Sequence, residues 1–156
     1  MKKLPLLPTI IGTGFGSGFW PWGPGTAGAL TGMLIWYALS FMLNSTRLFT
    51  VTLSCIVVLT IAGTWAVRRL SPFWGSDPQK VVIDEMVGVW VPLLAVPASD
   101  IWLALASFVL FRLFDILKPL GIRTLDRRKG AFYVMADDIL AGVYSLIIIV
   151  AVQWII

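Results

Sequence analysis

The sequence predicts an all-α membrane protein, a polytopic bundle of about five transmembrane helices whose third helix is short or kinked. The first observation is composition: 58% of the residues are apolar and only 13% are charged, whereas a soluble domain carries about 25% charged residues. The second is that the apolar residues fall into five segments separated by polar residues, prolines and glycines. At 156 residues the chain is predicted to be one integral-membrane domain, residues 1–156.

The N-terminal segment, residues 1–26, is predicted to be a glycine-rich cytosolic or interfacial lead-in to a helical bundle over residues 27–156. Glycine lets the backbone wrap closely around a ligand, and Thr26 is the predicted N-cap of the first membrane helix. Exposed backbone N–H groups at that helix start would form a phosphate cradle. The alternative is a tight turn anchored at the membrane interface by Trp20 and Trp22.

The predicted membrane helices differ in length. About 17–25 residues are needed to cross a bilayer; the second, fourth and fifth segments reach this range, and the first is at its limit. The third carries Asp84 and Glu85 near its start and Pro92 near its end, so it is expected to tilt, to kink at Pro92, or to span only part of the bilayer. The five segments are residues 27–43, 49–67, 81–96, 101–117 and 139–156.

The charged residues predict which face of the membrane carries the chemistry. With five spans, eleven of the twelve Lys and Arg side chains, Lys2 among them, fall on one side and only Arg47 falls on the other. The positive side is expected to be cytoplasmic, with the N-terminus inside and the C-terminus outside. Seven of the eight carboxylates, Asp77 included, lie on that side, and Asp100 is the exception. Because the basic residues flank apolar runs, the net charge of +4 is attributed to topology, and no nucleic-acid partner is expected.

Two acidic pairs lie at similar depths on different predicted helices. Placing Asp84 and Glu85 inside an apolar helix costs about 2.5–3.5 kcal/mol per acid at the bilayer centre, which favours a functional role. The alternative is a solvated helix end whose acids are favoured by the helix dipole. Asp137 and Asp138 are predicted to open the last helix, where capping is an ordinary explanation. Gly142, one turn further, would let another helix approach closely.

A third group of charges lies at the end of the fourth segment. Arg112, Asp115 and Lys118 are spaced three apart and share one helix face, so Asp115 could bind a metal while the cations face phosphate. The alternative is a local ladder of salt bridges. The basic stretch 123–129 is either a cytoplasmic loop that reflects topology or a surface that holds the substrate near anionic lipid.

Together these segments would bring four or five carboxylates to one interface. Oxygen ligands without His or Cys select Mg²⁺ or Mn²⁺, which can polarise a phosphoryl oxygen. The chain has no histidine, and Cys55 lacks the Cys-x₅-Arg pattern, which excludes histidine-dependent and cysteine-dependent phosphatases. A small ion transporter or channel with an acidic interfacial site is the main alternative function. A non-catalytic membrane scaffold is a further alternative.

With these segments identified, the chain resembles the phosphatidylglycerophosphatase A family of bacterial membrane enzymes. The resemblance implies Mg²⁺-dependent removal of the terminal phosphate from phosphatidylglycerophosphate, at the cytoplasmic face of the bacterial inner membrane. One departure is the sequence 129–133, Lys-Gly-Ala-Phe-Tyr, where the family typically has a Gly-Gly-x-Gly-like turn; a stiffer turn is expected here. The resemblance is carried by residues 14–18 with 24–26, 83–85 with Gly88, 111–112 with Asp115, Lys118 and Pro119, 122–123, and 137–138 with 141–142.

The roles of the individual residues in the site are assigned as a hypothesis. The catalytic residues would be Asp84, Glu85, Asp115 and Asp138, and the metal would be held by Asp84, Glu85, Asp137 and Asp138. Phosphate oxygens would be bound by Thr26, Arg112, Lys118 and Arg123. Attack by a metal-activated water is preferred, with Asp84 as a nucleophile left open. Pairing into a homo-oligomer is also conceivable, because the third span is short.

Overall fold

The computed structural model describes residues 3–76 and 78–155, and all regular secondary structure in this part of the chain is helical, which confirms the all-α prediction. Lys2 and Asp77, which contribute to the charge counts above, lie outside the described residues. A single 3₁₀ turn at Ser17–Phe19 accompanies the α-helices. These are α1 (Leu6–Gly12), α2 (Pro24–Ser40), α3 (Ser45–Trp74), α4 (Ile83–Leu93), α5 (Ile101–Leu117), α6 (Ile122–Asp126) and α7 (Ala131–Ile155).

Each of the five predicted segments contains a helix, namely α2, α3, α4, α5 and α7. Among the described helices, however, α3 and α7 are the two that are long and apolar enough to cross a membrane. The number of about five membrane helices is therefore not confirmed by helix length. Large apolar side chains on α3 such as Leu53, Val57 and Ile61 are exposed, which is the surface expected of a helix that contacts lipid.

Helix α4 is the centre of the bundle. Ten of its eleven residues are buried, and α2, α3, α5 and α7 pack around it. At 1.5 Å per residue it is about 16 Å long, roughly half the thickness of a bilayer core. Pro92 lies in its last turn and the helix ends at Leu93. The expected short third helix is therefore present, and it covers only part of a bilayer.

Glycines allow the neighbouring helices to approach α4 closely. A Cβ atom added to Gly142 of α7 would lie 2.4 Å from the Gly88 carbonyl oxygen of α4. One added to Gly88 would lie 2.4 Å from the Phe111 ring of α5. On the other sides, a Cβ on Gly28 of α2 would lie 2.5 Å from Val82, just before α4. One on Gly32 of α2 would lie 3.2 Å from Met86, and one on Gly63 of α3 would lie 3.0 Å from Ile83. The close helix approach predicted at Gly142 is thus confirmed.

The starts of α2, α3 and α7 differ from their predicted positions; α3 begins at Ser45, not at residue 49. Helix α7 begins at Ala131, not at residue 139, so Asp137 and Asp138 lie in its second turn and its first turn contains no acid. Gly130, with φ of 134°, ends the preceding loop and lets the helix start early. Helix α2 begins at Pro24, whose fixed φ suits the first helical position; its N-cap is Gly23, and Thr26 lies within its first turn.

The N-terminal segment contains α1, which the sequence pattern does not predict. Helix α1 packs against α3, and the carbonyl of Gly12 at its end accepts a hydrogen bond of 2.8 Å from the Val82 N–H just before α4. At the opposite end of the bundle, the Ser99 N–H donates to Ser40 Oγ and the Gln153 amide donates to the Ala95 carbonyl. The segment around α1 therefore braces the same end of the bundle from which the acids of α4 project.

Candidate active site

Three carboxylates from two helices meet at this end of the bundle. Asp84 and Glu85 lie in the first turn of α4, and Asp138 lies on α7. One carboxylate oxygen from each can be chosen so that all three lie within 4.8 Å of one another. Asp84 and Asp138 are 8% and 3% exposed. Each of the three has a buried oxygen without a hydrogen-bond partner among the described residues: Asp84 Oδ1, Glu85 Oε2 and Asp138 Oδ2.

This arrangement fits a hard divalent cation. Carboxylates this close repel one another, and burial of unpaired charge is costly, so a cation between them would relieve both effects. Because the donors are oxygens and the sequence offers no histidine, the set suits Mg²⁺. Asp84, Glu85 and Asp138 are the residues that would hold it.

Asp137 lies beside this cluster and has a different partner. It is 5% exposed, and its Oδ2 accepts a hydrogen bond of 2.8 Å from Lys118 Nζ. The structure therefore places Asp137 in an ion pair and outside the three-carboxylate group, although the sequence suggested it as a fourth metal ligand. Asp137 does not act as a helix cap, because α7 begins at Ala131, six residues before it.

Asp115 and Arg112 form the pair expected from their spacing. The Arg112 Nη1 group donates to Asp115 Oδ2 from one turn earlier on α5, and Asp115 is buried. Arg112 Nε is also buried and has no partner in the described chain. The guanidinium lies towards the first turn of α2, where a Cβ on Gly25 would be 3.4 Å from Arg112 Nη1. Arg112 therefore lies behind Asp115 and holds that carboxylate in place.

Lys118 links two further acids. It forms the C-cap of α5 in a left-handed conformation with φ of 47°, and its ammonium donates to Asp126 at the end of α6 and to Asp137 on α7. Partial burial lowers the pKa of Lys118, but the hydrogen bonds to the two carboxylates outweigh it and hold the pKa above its ordinary value. Lys118 therefore stays positively charged beside the cluster.

A cavity of about 270 Å³ opens over these groups. Its lining combines six carboxylates with the basic loop that follows α6. Its walls also include the linker before α4. The lining residues are Ser76, Pro78, Gln79, Val81, Asp84, Glu85, Asp115, Lys118, Asp126, Arg127, Arg128, Lys129, Gly130, Tyr133, Val134, Asp137 and Asp138.

Two predicted phosphate-binding residues lie elsewhere. Thr26 is exposed and lines a separate apolar groove of about 580 Å³ beside Trp20 and Trp22. Arg123 is exposed, and its Nη2 donates to the Leu117 carbonyl at the end of α5 over 3.3 Å. Of the four residues predicted to bind phosphate, Lys118 lines the cavity. Arg112 does not line it, but pairs with Asp115, which does.

The sequence interpretation missed several residues near the site. Asp126 and Tyr133 line the cavity, and Gly25 touches the site from α2: a Cβ there would lie 2.3 Å from Glu85 Oε1. Asp126 could have been singled out from the sequence, because it is the one acid within the basic stretch 123–129. Gly25 was already among the residues that carry the resemblance, but its contact with Glu85, like the position of Tyr133, depends on long-range packing.

Replacing Gly25 with alanine is expected to lower phosphate release about 10-fold to 100-fold with little loss of stability. The new methyl group would meet the ends of the Glu85 and Arg112 side chains, which can swing away, so the helix need not move. Kinetics with the thermal unfolding midpoint measure both effects. Unchanged kinetics would show that Glu85 does not need its present position.

A family model and two curated relatives identify one family. The model of the family described as phosphatidylglycerophosphatase A matches residues 10–153. A phosphatidylglycerophosphatase A from Haemophilus influenzae is 36% identical over 99% of this chain and 94% of its own length. One from Escherichia coli is 37% identical over 87% of this chain and 77% of its own length.

A further relative is named for a different substrate. A protein from Bacteroides thetaiotaomicron, provisionally named phosphatidylinositol-3-phosphatase, is 55% identical over 100% of this chain and 99% of its own length. No solved structure matches the chain. Both names describe removal of a phosphate from a phospholipid head group.

Proposed function

Since the chain belongs to the phosphatidylglycerophosphatase A family and is thus a phosphatase, we propose that it hydrolyses the terminal phosphomonoester of phosphatidylglycerophosphate in a Mg²⁺-dependent reaction. The products are phosphatidylglycerol and inorganic phosphate. The observation that carries the proposal is the group formed by Asp84, Glu85 and Asp138, whose buried oxygens lack partners and lie within 4.8 Å of one another at the cavity.

The reaction forms a bond between a water oxygen and phosphorus and breaks the bond from phosphorus to the lipid oxygen. Asp84, Glu85 and Asp138 would hold the ion, which supplies Lewis-acid stabilisation of charge on the phosphoryl oxygens. Asp115 lines the cavity and is held by Arg112, so it can accept the proton that the attacking water loses. The leaving lipid oxygen takes up a proton as it departs.

Lys118 supports the developing negative charge. Its ammonium has three N–H donors, of which two are engaged by Asp126 and Asp137, so one remains for a phosphate oxygen. The two carboxylates fix the position of the ammonium before substrate arrives. Such preorganised donors stabilise a transition state without reorganisation during the reaction.

We place the site at the cytoplasmic face of the bacterial inner membrane, in a single integral-membrane domain over residues 1–156. The exposed apolar side chains of α3 and the apolar length of α7 support the membrane location, and the basic residues at the site's end of the bundle support the orientation. Five spans and a homo-oligomer stay predictions. A transporter is disfavoured, because the acids cluster at one end, and Asp100 at the other caps α5.

Phosphatidylinositol 3-phosphate is a second candidate substrate, favoured by the relative that is 55% identical. Both lipids present a phosphomonoester on a polar head group that a phosphodiester joins to the glycerol. The inositol ring is the bulkier head group. A direct comparison of the two lipids with the same purified protein decides between them.

The test is phosphate release from each lipid by purified protein in detergent, with Mg²⁺ and with EDTA. Release is expected with Mg²⁺, at background in EDTA, and restored by excess Mg²⁺, because the three carboxylates would lose the cation that joins them. Release that is insensitive to EDTA would overturn the metal dependence. No release from folded protein with either lipid would overturn the enzyme function, and ion flux in liposomes would then be measured.

A further inference from the structure

The carboxylates that line the cavity would repel an anionic substrate. Six carboxylates line it, while Lys118 and Arg112 are the two cations paired with them. Even with one divalent ion at the three-carboxylate group, the base of the cavity stays net negative. A phosphomonoester carries about −1.5 to −2 charge near neutral pH, so further cations are needed to attract it.

The basic loop between α6 and α7 supplies three such cations at the cavity. Arg127, Arg128 and Lys129 all line it, and their side chains are otherwise exposed to solvent. The cavity volume of about 270 Å³ equals that of a sphere roughly 8 Å across. A phosphate ester inside such a space can therefore meet groups from the acidic base and from the basic loop together.

Within this loop, the side chain of Arg128 contacts Tyr133. Its Nη1 donates to the Tyr133 hydroxyl oxygen at 3.5 Å, and its guanidinium carbon lies 5.5 Å from the centre of the Tyr133 ring. Attraction between a guanidinium and an aromatic face orders the side chain. Tyr133 is itself fixed in the first turn of α7, where its N–H donates to the Gly130 carbonyl.

We propose that Arg128, positioned by Tyr133, binds the phosphomonoester group of the substrate at the mouth of the cavity, with Arg127 and Lys129 adding positive charge. The planar guanidinium can donate two parallel hydrogen bonds to phosphate oxygens. Tyr133 acts as a positioning residue through Arg128. The inference rests on the proposed phosphatase function and names the residues that recognise its substrate.

The competing explanation is general attraction of the basic loop to an anionic membrane surface, worth about 1 kcal/mol per basic residue. That attraction does not depend on where a cation lies relative to the cavity. Arg69 on α3 is therefore a matched control, since it is exposed and lies outside the cavity lining. Arg69→Gln removes the same charge as Arg128→Gln.

The experiment measures KM and kcat for the lipid in uncharged detergent micelles, and the binding of inorganic phosphate by calorimetry with Mg²⁺ present. Arg128→Gln is expected to raise KM and to weaken phosphate binding about 10-fold or more, the usual size for a hydrogen bond to a charged group. kcat should change less, and Arg69→Gln should change each value less than about 2-fold. Tyr133→Ala is expected to raise KM by a smaller factor with an unchanged unfolding midpoint.

The outcomes separate this inference from the proposed function. Equal behaviour of Arg128→Gln and Arg69→Gln in micelles overturns the inference, and an equal loss confined to anionic vesicles assigns the loop to surface attraction. Wild-type protein that does not bind phosphate also overturns it. Phosphate binding that depends on Arg128, without release from any lipid, would support the inference and overturn the function.

Discussion

Replacing Asp84 with asparagine is expected to lower phosphate release by at least about 1,000-fold while the protein stays folded. The side chains have nearly the same size, but asparagine lacks the charge with which, in the proposed function, Asp84 would help Glu85 and Asp138 to hold a divalent cation. A bound metal contributes several kcal/mol to the stabilisation of transition-state charge, and about 1.4 kcal/mol corresponds to a factor of ten in rate.

The same substitution should leave stability unchanged or raised in metal-free protein. Asp84 is buried beside two other carboxylates, so removal of its charge relieves repulsion. Thermal unfolding in EDTA measures this effect separately from activity. Lower stability together with lower activity would show that Asp84 has a mainly structural role.

Asp100→Asn is the matched control for Asp84→Asn. Asp100 caps α5 at the far end of the bundle by accepting a hydrogen bond from the Leu103 N–H, and asparagine caps helices equally well. Its activity is therefore expected to equal that of the wild type. A comparable loss in both variants would mean that a general change of charge, and not the site, controls the rate.

Replacing Gly142 with valine is expected to lower both stability and phosphate release strongly. Even the first added carbon would lie 2.4 Å from the Gly88 carbonyl oxygen and 2.8 Å from Val91 Cβ, so α7 must move away from α4. Overpacking of this kind typically costs about 1–3 kcal/mol. Because Asp138 is on α7 and Asp84 is on α4, the same movement would separate two of the three clustered carboxylates.

Ala151→Val provides the control for Gly142→Val, since it introduces the same side chain at an exposed position of α7. It should change neither the unfolding midpoint in detergent nor the rate. The contrary result for Gly142→Val would be a midpoint and a rate equal to those of the wild type. The close packing of α4 against α7 would then not be needed for the site.

The parts of the site that could be predicted were those with local signals. Asp84 and Glu85 stand out in an otherwise apolar segment, where charge is costly, although the structure places them in the first turn of α4 and not inside it. Arg112 and Asp115 are paired by helical spacing alone. Both features are present in the structure. The helical segments were predictable for a similar reason, because runs of apolar residues separated by proline and glycine mark them directly.

The parts that could not be predicted depend on how the chain turns between helices. Lys118 reaches Asp126 and Asp137 because α5 ends in a left-handed residue and the chain reverses into α6, which the spacing of charges does not reveal. The start of α7 depends on the conformation of Gly130, so the acidic pair was assigned to the wrong turn. Arg123 and Arg128 share one basic stretch, and only the fold shows which of them faces the cavity.

The glycines that let α2, α3 and α7 approach α4 also restrict how the protein can admit a lipid. A helix held at such short distances on several sides cannot slide or rotate without steric clash. The two carboxylates that α4 carries, Asp84 and Glu85, are therefore fixed in position. A lipid head group would therefore meet Asp84 and Glu85 in positions that its arrival does not change.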